Sequence, residues 1–169
     1  MKQSEELYHH GILGMKWGVR RYQNKDGTLT SKGKKRYSDV TELKSKKTGE
    51  KLYVAQRQGK HGDSERNFDI LQNGKKIGNA WLEDQGDNLY VNWIDIKKSE
   101  RGKGYADSVM GYIVKYADDS GYKTLSLEVP GSSQDARHIY EKHGFKAEAS
   151  VQSNSDDVWD GLTAMKRRK

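Results

Sequence analysis

The sequence predicts a mixed α/β (α+β) domain with a largely antiparallel sheet, and three observations predict it. An Asn73-Gly74 pair lies between two β-prone runs, residues 68–71 and 75–83. The hydrophobic period then changes: residues 89–96 are apolar on both faces, whereas Ala106, Val109, Met110, Ile113 and Ala117 recur at helical spacing. Another strand, another helix and two more strand candidates follow, in the order β-β-β-α-β-α-β-β.

Each element has a local reason. Asn-Gly tolerates positive φ at both central positions, which a two-residue hairpin demands. A second turn at 84–88 leads into 89–96, whose two apolar faces suit a central strand and complete a three-stranded meander. The helical stripe from Ala106 to Ala117 ends at Gly121, a good C-terminal stop. Residues 123–129 alternate, with Leu125, Leu127 and Val129 on one side and Ser126 and Glu128 on the other. Pro130, the single proline, closes that strand. Ser132-x-x-Asp135 reads as a capping box, followed by a stripe of Ala136, Ile139, Tyr140 and His143 that Gly144 stops. Residues 145–151 and 158–165 are the last strand candidates. Residues 52–57 read as a first strand, leaving 58–67 before the meander.

The chain has 169 residues, enough for one domain or one domain and an arm. Charged residues make up 33% and mean hydropathy is −1.07. No apolar run reaches the roughly 20 residues of a membrane span. MKQSEELYHHGIL has no apolar core of a secretory signal. The absence of cysteine excludes disulfides, thiolate zinc sites and cysteine nucleophiles. The net charge of +7 is uneven. Residues 1–51 hold 13 Lys and Arg against 6 Asp and Glu, which is the whole excess, while residues 52–169 hold 18 of each. The expected organisation is a basic arm (1–50), a mildly acidic body (51–165) and a basic tail (166–169). Tyr37, Val40 and Leu43 fit a short amphipathic helix in the arm after a cap at Thr30 or Ser31. Polyanion binding belongs to the arm and tail, where Trp17, Tyr22 and Tyr37 could stack on nucleic acid bases; the plain alternative is a solvated segment.

Between the third strand and the first helix of the body lies Lys97-Lys98-Ser99-Glu100-Arg101-Gly102-Lys103-Gly104-Tyr105-Ala106. A glycine-rich turn into a helix gathers free N–H groups and the positive end of the helix dipole, a setting for phosphate. The dinucleotide fingerprint fails because Asp107 stands where a third glycine belongs, and no Gly-Lys-Ser/Thr makes a P-loop.

Arg101-Gly102-Lys103-Gly104-Tyr105-Ala106 resembles the R/Q-x-x-G-x-G/A signature of the GCN5-related N-acetyltransferases. Ala136-Arg137-His138-Ile139-Tyr140-Glu141-Lys142-His143-Gly144-Phe145 is similar to that family's A-x-x-x-Y-E-K-x-G-F segment. The resemblance implies the family's fold over about 52–165 and a site for acetyl-CoA. Its diphosphate would lie on residues Arg101, Gly102, Lys103, Gly104, Tyr105 and Ala106, beside Ile94 and Ile96 of the preceding strand. Ser133 stands where the family commonly has asparagine. The family also has two helices between its first two strands, which 58–67 is too short to form. The acceptor site is then reduced, open, or completed by the arm or by a second subunit in a dimer.

Tyr8-His9-His10-Gly11-Ile12-Leu13-Gly14-Met15-Lys16-Trp17-Gly18-Val19-Arg20-Arg21-Tyr22 resembles a segment recurring in phage and prophage structural proteins, notably minor head proteins. That resemblance implies a phage or prophage protein in the bacterial host cytoplasm, with virion association through the arm. Two functions are therefore expected: an acetyl-CoA-dependent N-acyltransferase acting on a primary amine, or a non-catalytic interaction protein on a degenerate transferase fold.

Acyl transfer to nitrogen needs a neutral amine. A lysine with pKa about 10.4 costs about 4.6 kcal/mol to present neutral at pH 7, and an α-amine near 7.8 about 1.1 kcal/mol. Tyr140, matching the family's tyrosine, is the candidate acid for the departing thiolate. Glu128, on the polar side of its strand, is the candidate base, and Asp95 the second choice. Leu127-Glu128-Val129, twelve positions before Tyr140, resembles the ribosomal-protein Nα-acetyltransferases of that family. A backbone N–H near Ile96 would serve the oxyanion. No metal is expected: His138 and His143 are five apart, and no acidic cluster completes a site.

Overall fold

The computed structural model describes residues 22–24, 26, 28–58, 64–151 and 161–169. Among them, one sheet contains β1 (Tyr37–Lys44), β2 (Lys51–Arg57), β3 (Glu65–Gln72), β4 (Lys75–Gln85), β5 (Asn88–Ile96), β6 (Thr124–Pro130), β7 (Lys146–Val151) and β8 (Leu162–Arg168). Their spatial order is β1-β2-β3-β4-β5-β6-β8-β7. Neighbours are antiparallel except β5 and β6, which are parallel and joined through a helix. The helices are α1 (Ser31–Arg36), α2 (Tyr105–Asp119) and α3 (Gln134–Lys142).

The turn chemistry is as the sequence demands. Asn73 and Gly74 have φ of 49° and 72° between β3 and β4. The stripe of α2 is buried at Val109, Met110, Ile113 and Ala117, and Gly121 follows its end at φ 84°. These side chains pack on the inward residues of β2–β6, including Leu52, Phe68, Ile70, Leu82 and Leu127. Phe68 meets Tyr112 and Tyr116 edge-on, each at 5.9 Å. Ala136, Ile139 and Tyr140 of α3 lie against the same core. Thus α2 and α3 cover one face of the sheet, here termed the first face.

Several expectations need correction. Tyr37, Val40 and Leu43 lie on strand β1, not on a helix. A bulge between Tyr37 and Asp39 shifts the register, so Tyr37 and Val40, three apart, share a face. Val40 pairs with Ala55 and Leu43 with Leu52. The helix there is the six-residue α1, capped by Thr30 Oγ1 accepting from the Gly33 amide at 3.1 Å. The sheet therefore begins ahead of Lys51. The capping box at Ser132 does not form: Ser133 is the N-cap residue of α3, and its side chain makes no capping bond. The last basic residues are strand rather than tail, since Lys166, Arg167 and Arg168 pair with Ser126, Leu125 and Thr124. Residues 158–160 of the last strand candidate lie outside the described residues.

A second, smaller core sits on the opposite, second face. Tyr37, Tyr53, Ala55 and Leu71 are buried there under Tyr22, Leu29 and Val40. Gly33 permits this cover, because a Cβ would fall 2.0 Å from the Tyr22 carbonyl oxygen. Asp69, with no side-chain exposure, anchors it: Tyr37 Oη donates to Oδ2 at 2.8 Å, Arg36 Nη2 does so at 3.0 Å, and Lys76 Nζ lies 2.8 Å from Oδ1. Tyr22, Leu29 and Tyr37 thus cover the second face over β1–β3, and among the described residues no helix covers it over β4–β6.

Candidate active site

Strands β5 and β6 pair only from Asn88↔Thr124 to Val91↔Leu127. A bulge opposite Trp81 and Leu82 makes Asn92 an extra residue in β5, and from there β5 follows β4 alone. The sheet splits at this point. Two buried donors at the split, Asn92 Nδ2 and Trp81 Nε1, have no partner among the described residues. Asn92 was not singled out in the sequence, although an amide within an otherwise apolar run was a signal.

Strand β5 runs into a 3-10 turn at Lys98–Glu100 and then to Gly102 and Gly104, with φ of 76° and 77°. Gly104 is the N-cap of α2 and has no side chain to satisfy the first amides. The N–H groups of Gly102, Lys103, Gly104, Tyr105, Ala106 and Asp107 donate to no group among the described residues. A Cβ on Gly102 would meet nothing within 4 Å. Open space, unused amides and a helix N-terminus together suit a diphosphate.

Side chains of this loop have other duties. Arg101 turns back on β5, its Nε donating to the Ile96 carbonyl at 2.8 Å and its Nη2 lying 3.3 Å from Asp95 Oδ1. Lys103 Nζ pairs with Glu100 at 2.8 Å. Tyr105 is buried; its hydroxyl donates to Glu50 Oε2 and accepts from Gln72 Nε2, both at 2.5 Å. Burial and the Glu50 carboxylate push the Tyr105 pKa up. Ala106 packs on the first-face core, as Ile94 does, and Ile96 is buried in that core. Ser133 stands at the first turn of α3, after β6.

The candidate acid and base lie on different faces. Tyr140 is on α3, against the core and 6.0 Å from the Phe145 ring. Burial raises its pKa, and its hydroxyl has no hydrogen-bond partner among the described residues. Glu128 is exposed on β6, its neighbours Leu127 and Val129 being turned into the core. It bears on Tyr90, whose pKa is raised by burial and then by the Glu128 and Glu83 carboxylates. Asp95 is exposed and held by Arg101. His143 is not a free histidine: its Nε2 lies 2.8 Å from Asp107 Oδ1.

One neighbour of the site was not expected. The turn between β1 and β2 is docked on the glycine loop. Ser45 Oγ donates to the Lys103 carbonyl at 2.7 Å, and Lys47 Nζ to the Gly102 carbonyl at 2.6 Å. No local signal marked this contact, which joins residues more than fifty apart.

Comparisons with known proteins agree with this geometry. Residues 35–145 match the family model described as the acetyltransferase (GNAT) family. Residues 2–24 match a family of unknown function, DUF7211. No curated protein matches the chain in sequence. Among solved structures, the ribosomal-protein-S18-alanine N-acetyltransferase from Escherichia coli is 23% identical, with TM-score 0.60 over 64% of this chain and 71% of that one. Spermidine N-acetyltransferase from Vibrio cholerae, in complex with CoA and spermine, is 21% identical, with TM-score 0.58 over 64% and 68%. A GNAT family acetyltransferase from Elizabethkingia anophelis, with acetyl-CoA bound, is 15% identical, with TM-score 0.58 over 63% and 77%. At these identities the likeness to solved structures is one of fold.

Proposed function

The chain belongs to the acetyltransferase (GNAT) family, and on that premise we propose that it is an acetyl-CoA-dependent N-acyltransferase acting on a primary amine. The observation that carries this reading is the run of unused amides from Gly102 to Asp107 at the head of α2, beside the split between β5 and β6. Two of the structural neighbours were solved with CoA or acetyl-CoA bound.

Acetyl-CoA supplies an acyl group activated as a thioester. The amides of Gly102–Ala106 would hold its diphosphate. Arg101 would act through the loop, since its guanidinium is engaged with Ile96 and Asp95. Glu128, on the open face, would take the proton that the amine must lose. The Tyr140 hydroxyl would give a proton to the departing sulfur; its raised pKa keeps it protonated at neutral pH. The Asn92 side-chain amide is a donor without a partner where the strands part, and it joins the backbone amides near Ile96 as a candidate for the carbonyl oxygen.

The test is thiol release from acetyl-CoA with a panel of amines and peptides, together with calorimetry of CoA. Binding and amine-dependent release are the expected result. Failure of CoA and its thioesters to bind at millimolar concentration overturns the enzyme. The arm is then the second element to test: its resemblance to phage structural proteins and its basic charge support reading residues 1–21 as an attachment segment.

A further inference from the structure

Among the described residues, the second face of the sheet is uncovered by helix over β4–β6. Its residues follow from register. Trp81 pairs with Trp93, Asn79 with Asp95 and Glu83 with Tyr90, while Tyr90 pairs with Ser126 of β6. Glu128 is two positions beyond Ser126 on the same side of β6 and so stands across the split from Trp93.

The chemistry of this patch is unusual for a water-facing sheet. Trp93 is 50% exposed, the one large hydrophobic residue so exposed among the described residues. It is not loose: its ring packs edge-on against Trp81, with centroids 4.7 Å apart and planes at 70°. Around it stand Glu83, Glu128 and Asp95. Glu83 and Glu128 make no ion pair among the described residues, while Asp95 has only the 3.3 Å contact with Arg101. Both carboxylates bear on the Tyr90 hydroxyl, Glu83 from β4 and Glu128 from β6. A rigid indole face beside carboxylates, two of them without an ion pair among the described residues, attracts a cation and the methylenes attached to it. Trp93 and Asp95, two apart along β5, stand about 6.6 Å apart, a span that a propyl or butyl link between the indole and that carboxylate bridges.

We propose that this patch is the acceptor site and that its ligand is a linear polyamine, the alkyl chain lying on Trp93 and the non-reacting ammonium held by Glu83 or Asp95. The inference rests on the transferase reading and adds the substrate class. Charge complementarity and the apolar indole together favour an alkylammonium over a neutral or anionic acceptor. The reacting amine would then face Glu128.

The test uses the full chain, with spermidine as probe. Calorimetry in the presence of CoA, and turnover with acetyl-CoA, are compared for the wild type, Trp93→Ala and Glu83→Gln. Trp93→Ala is expected to weaken spermidine binding and raise its KM about tenfold, leaving the CoA affinity unchanged; Glu83→Gln should weaken spermidine several-fold and steepen no salt effect. Spermidine binding within twofold of wild type in both variants, with CoA still bound, overturns this proposal alone. A lysine peptide that binds and reacts while spermidine does neither overturns the polyamine assignment. Loss of CoA binding by the wild type is a different failure, that of the transferase reading. Retained CoA affinity in Trp93→Ala shows that the variant is folded.

Discussion

Ser45 Oγ donates to the carbonyl oxygen of Lys103 at 2.7 Å, fastening the β1–β2 turn to the loop that begins α2. The same hydroxyl accepts from the Lys47 and Thr48 amides, each at 3.2 Å, so it organises the turn as well as anchoring it. Gly104 sits directly beneath: a Cβ there would be 3.0 Å from Lys47 Cβ and 3.1 Å from Ser45 Oγ. Gly102 has a similar positive φ but open space. Alanine at either site carries the left-handed cost of about 1–2 kcal/mol. Gly104→Ala must also displace the turn. It is therefore expected to lower thermal stability more than Gly102→Ala, which a pair of melting curves decides. Both should weaken CoA in calorimetry.

Asp69 offers a separate check on how the N-terminal segment is held. Burial pushes its carboxyl up, but the hydrogen bonds from Lys76, Tyr37 and Arg36 outweigh that and hold it below the usual carboxylate range. A carboxyl whose folded pKa is depressed contributes stability above its unfolded pKa of about 3.9, and that contribution is lost as pH falls through the lower, folded value. Asp69→Asn should thus cost stability at pH 7 and flatten the acid limb of the stability curve below about pH 4. Removing one partner of a fully buried ion cluster costs about 3–5 kcal/mol. Here Arg36 and Lys76 are 35% and 43% exposed and can be rehydrated, so a loss of about 1–2 kcal/mol is expected by denaturant titration.

Much of the body was legible because its signals are local. Asn73-Gly74, the α2 stripe and the glycines at 102 and 104 each dictate backbone geometry from neighbouring residues alone. What was hidden depends on distant partners. The spacing of Tyr37 and Val40 imitates a helix only because a bulge shifts the strand. Lys166, Arg167 and Arg168 look like a solvated tail until their counterions are known. Arg167 makes two 2.9 Å bonds to Asp118 of α2, while Lys166 and Arg168 share Glu148. In the site, the family motifs gave the loop and Tyr140, but neither the docked β1–β2 turn nor Asn92 has a signature within its own segment.

Tyr140 carries a kinetic prediction. Tyr140→Phe keeps the ring against Phe145 and removes only the hydroxyl, so stability should change little. If the hydroxyl protonates the departing sulfur, kcat should fall by about 10²-fold, with little change in the CoA affinity. The pH profile has a definite sign. An acid works while protonated, and burial raises this group above the ordinary value of about 10. Wild-type activity should therefore be lost on the alkaline side only above that value, and the variant should lack this limb. Steady-state kinetics across pH 6–11 measures both.

Truncation separates the arm from the fold. Removing residues 1–21 leaves Tyr22, Leu29, the Asp69 cluster and the Gly102–Asp107 loop in the chain, so CoA affinity should stay near wild type. Removing residues 1–50 takes away β1, α1 and the Ser45–Lys103 anchor. It strips the cover from Tyr53, Ala55 and Leu71 and exposes the edge of β2. Uncovering several apolar side chains costs about 1.5–3 kcal/mol for each large one, so this shorter chain should be insoluble or melt far lower. Calorimetric melts of the two truncations measure the difference. Equal stability would mean that residues 22–50 are an appendage, against the burial of Tyr37 and its bond to Asp69.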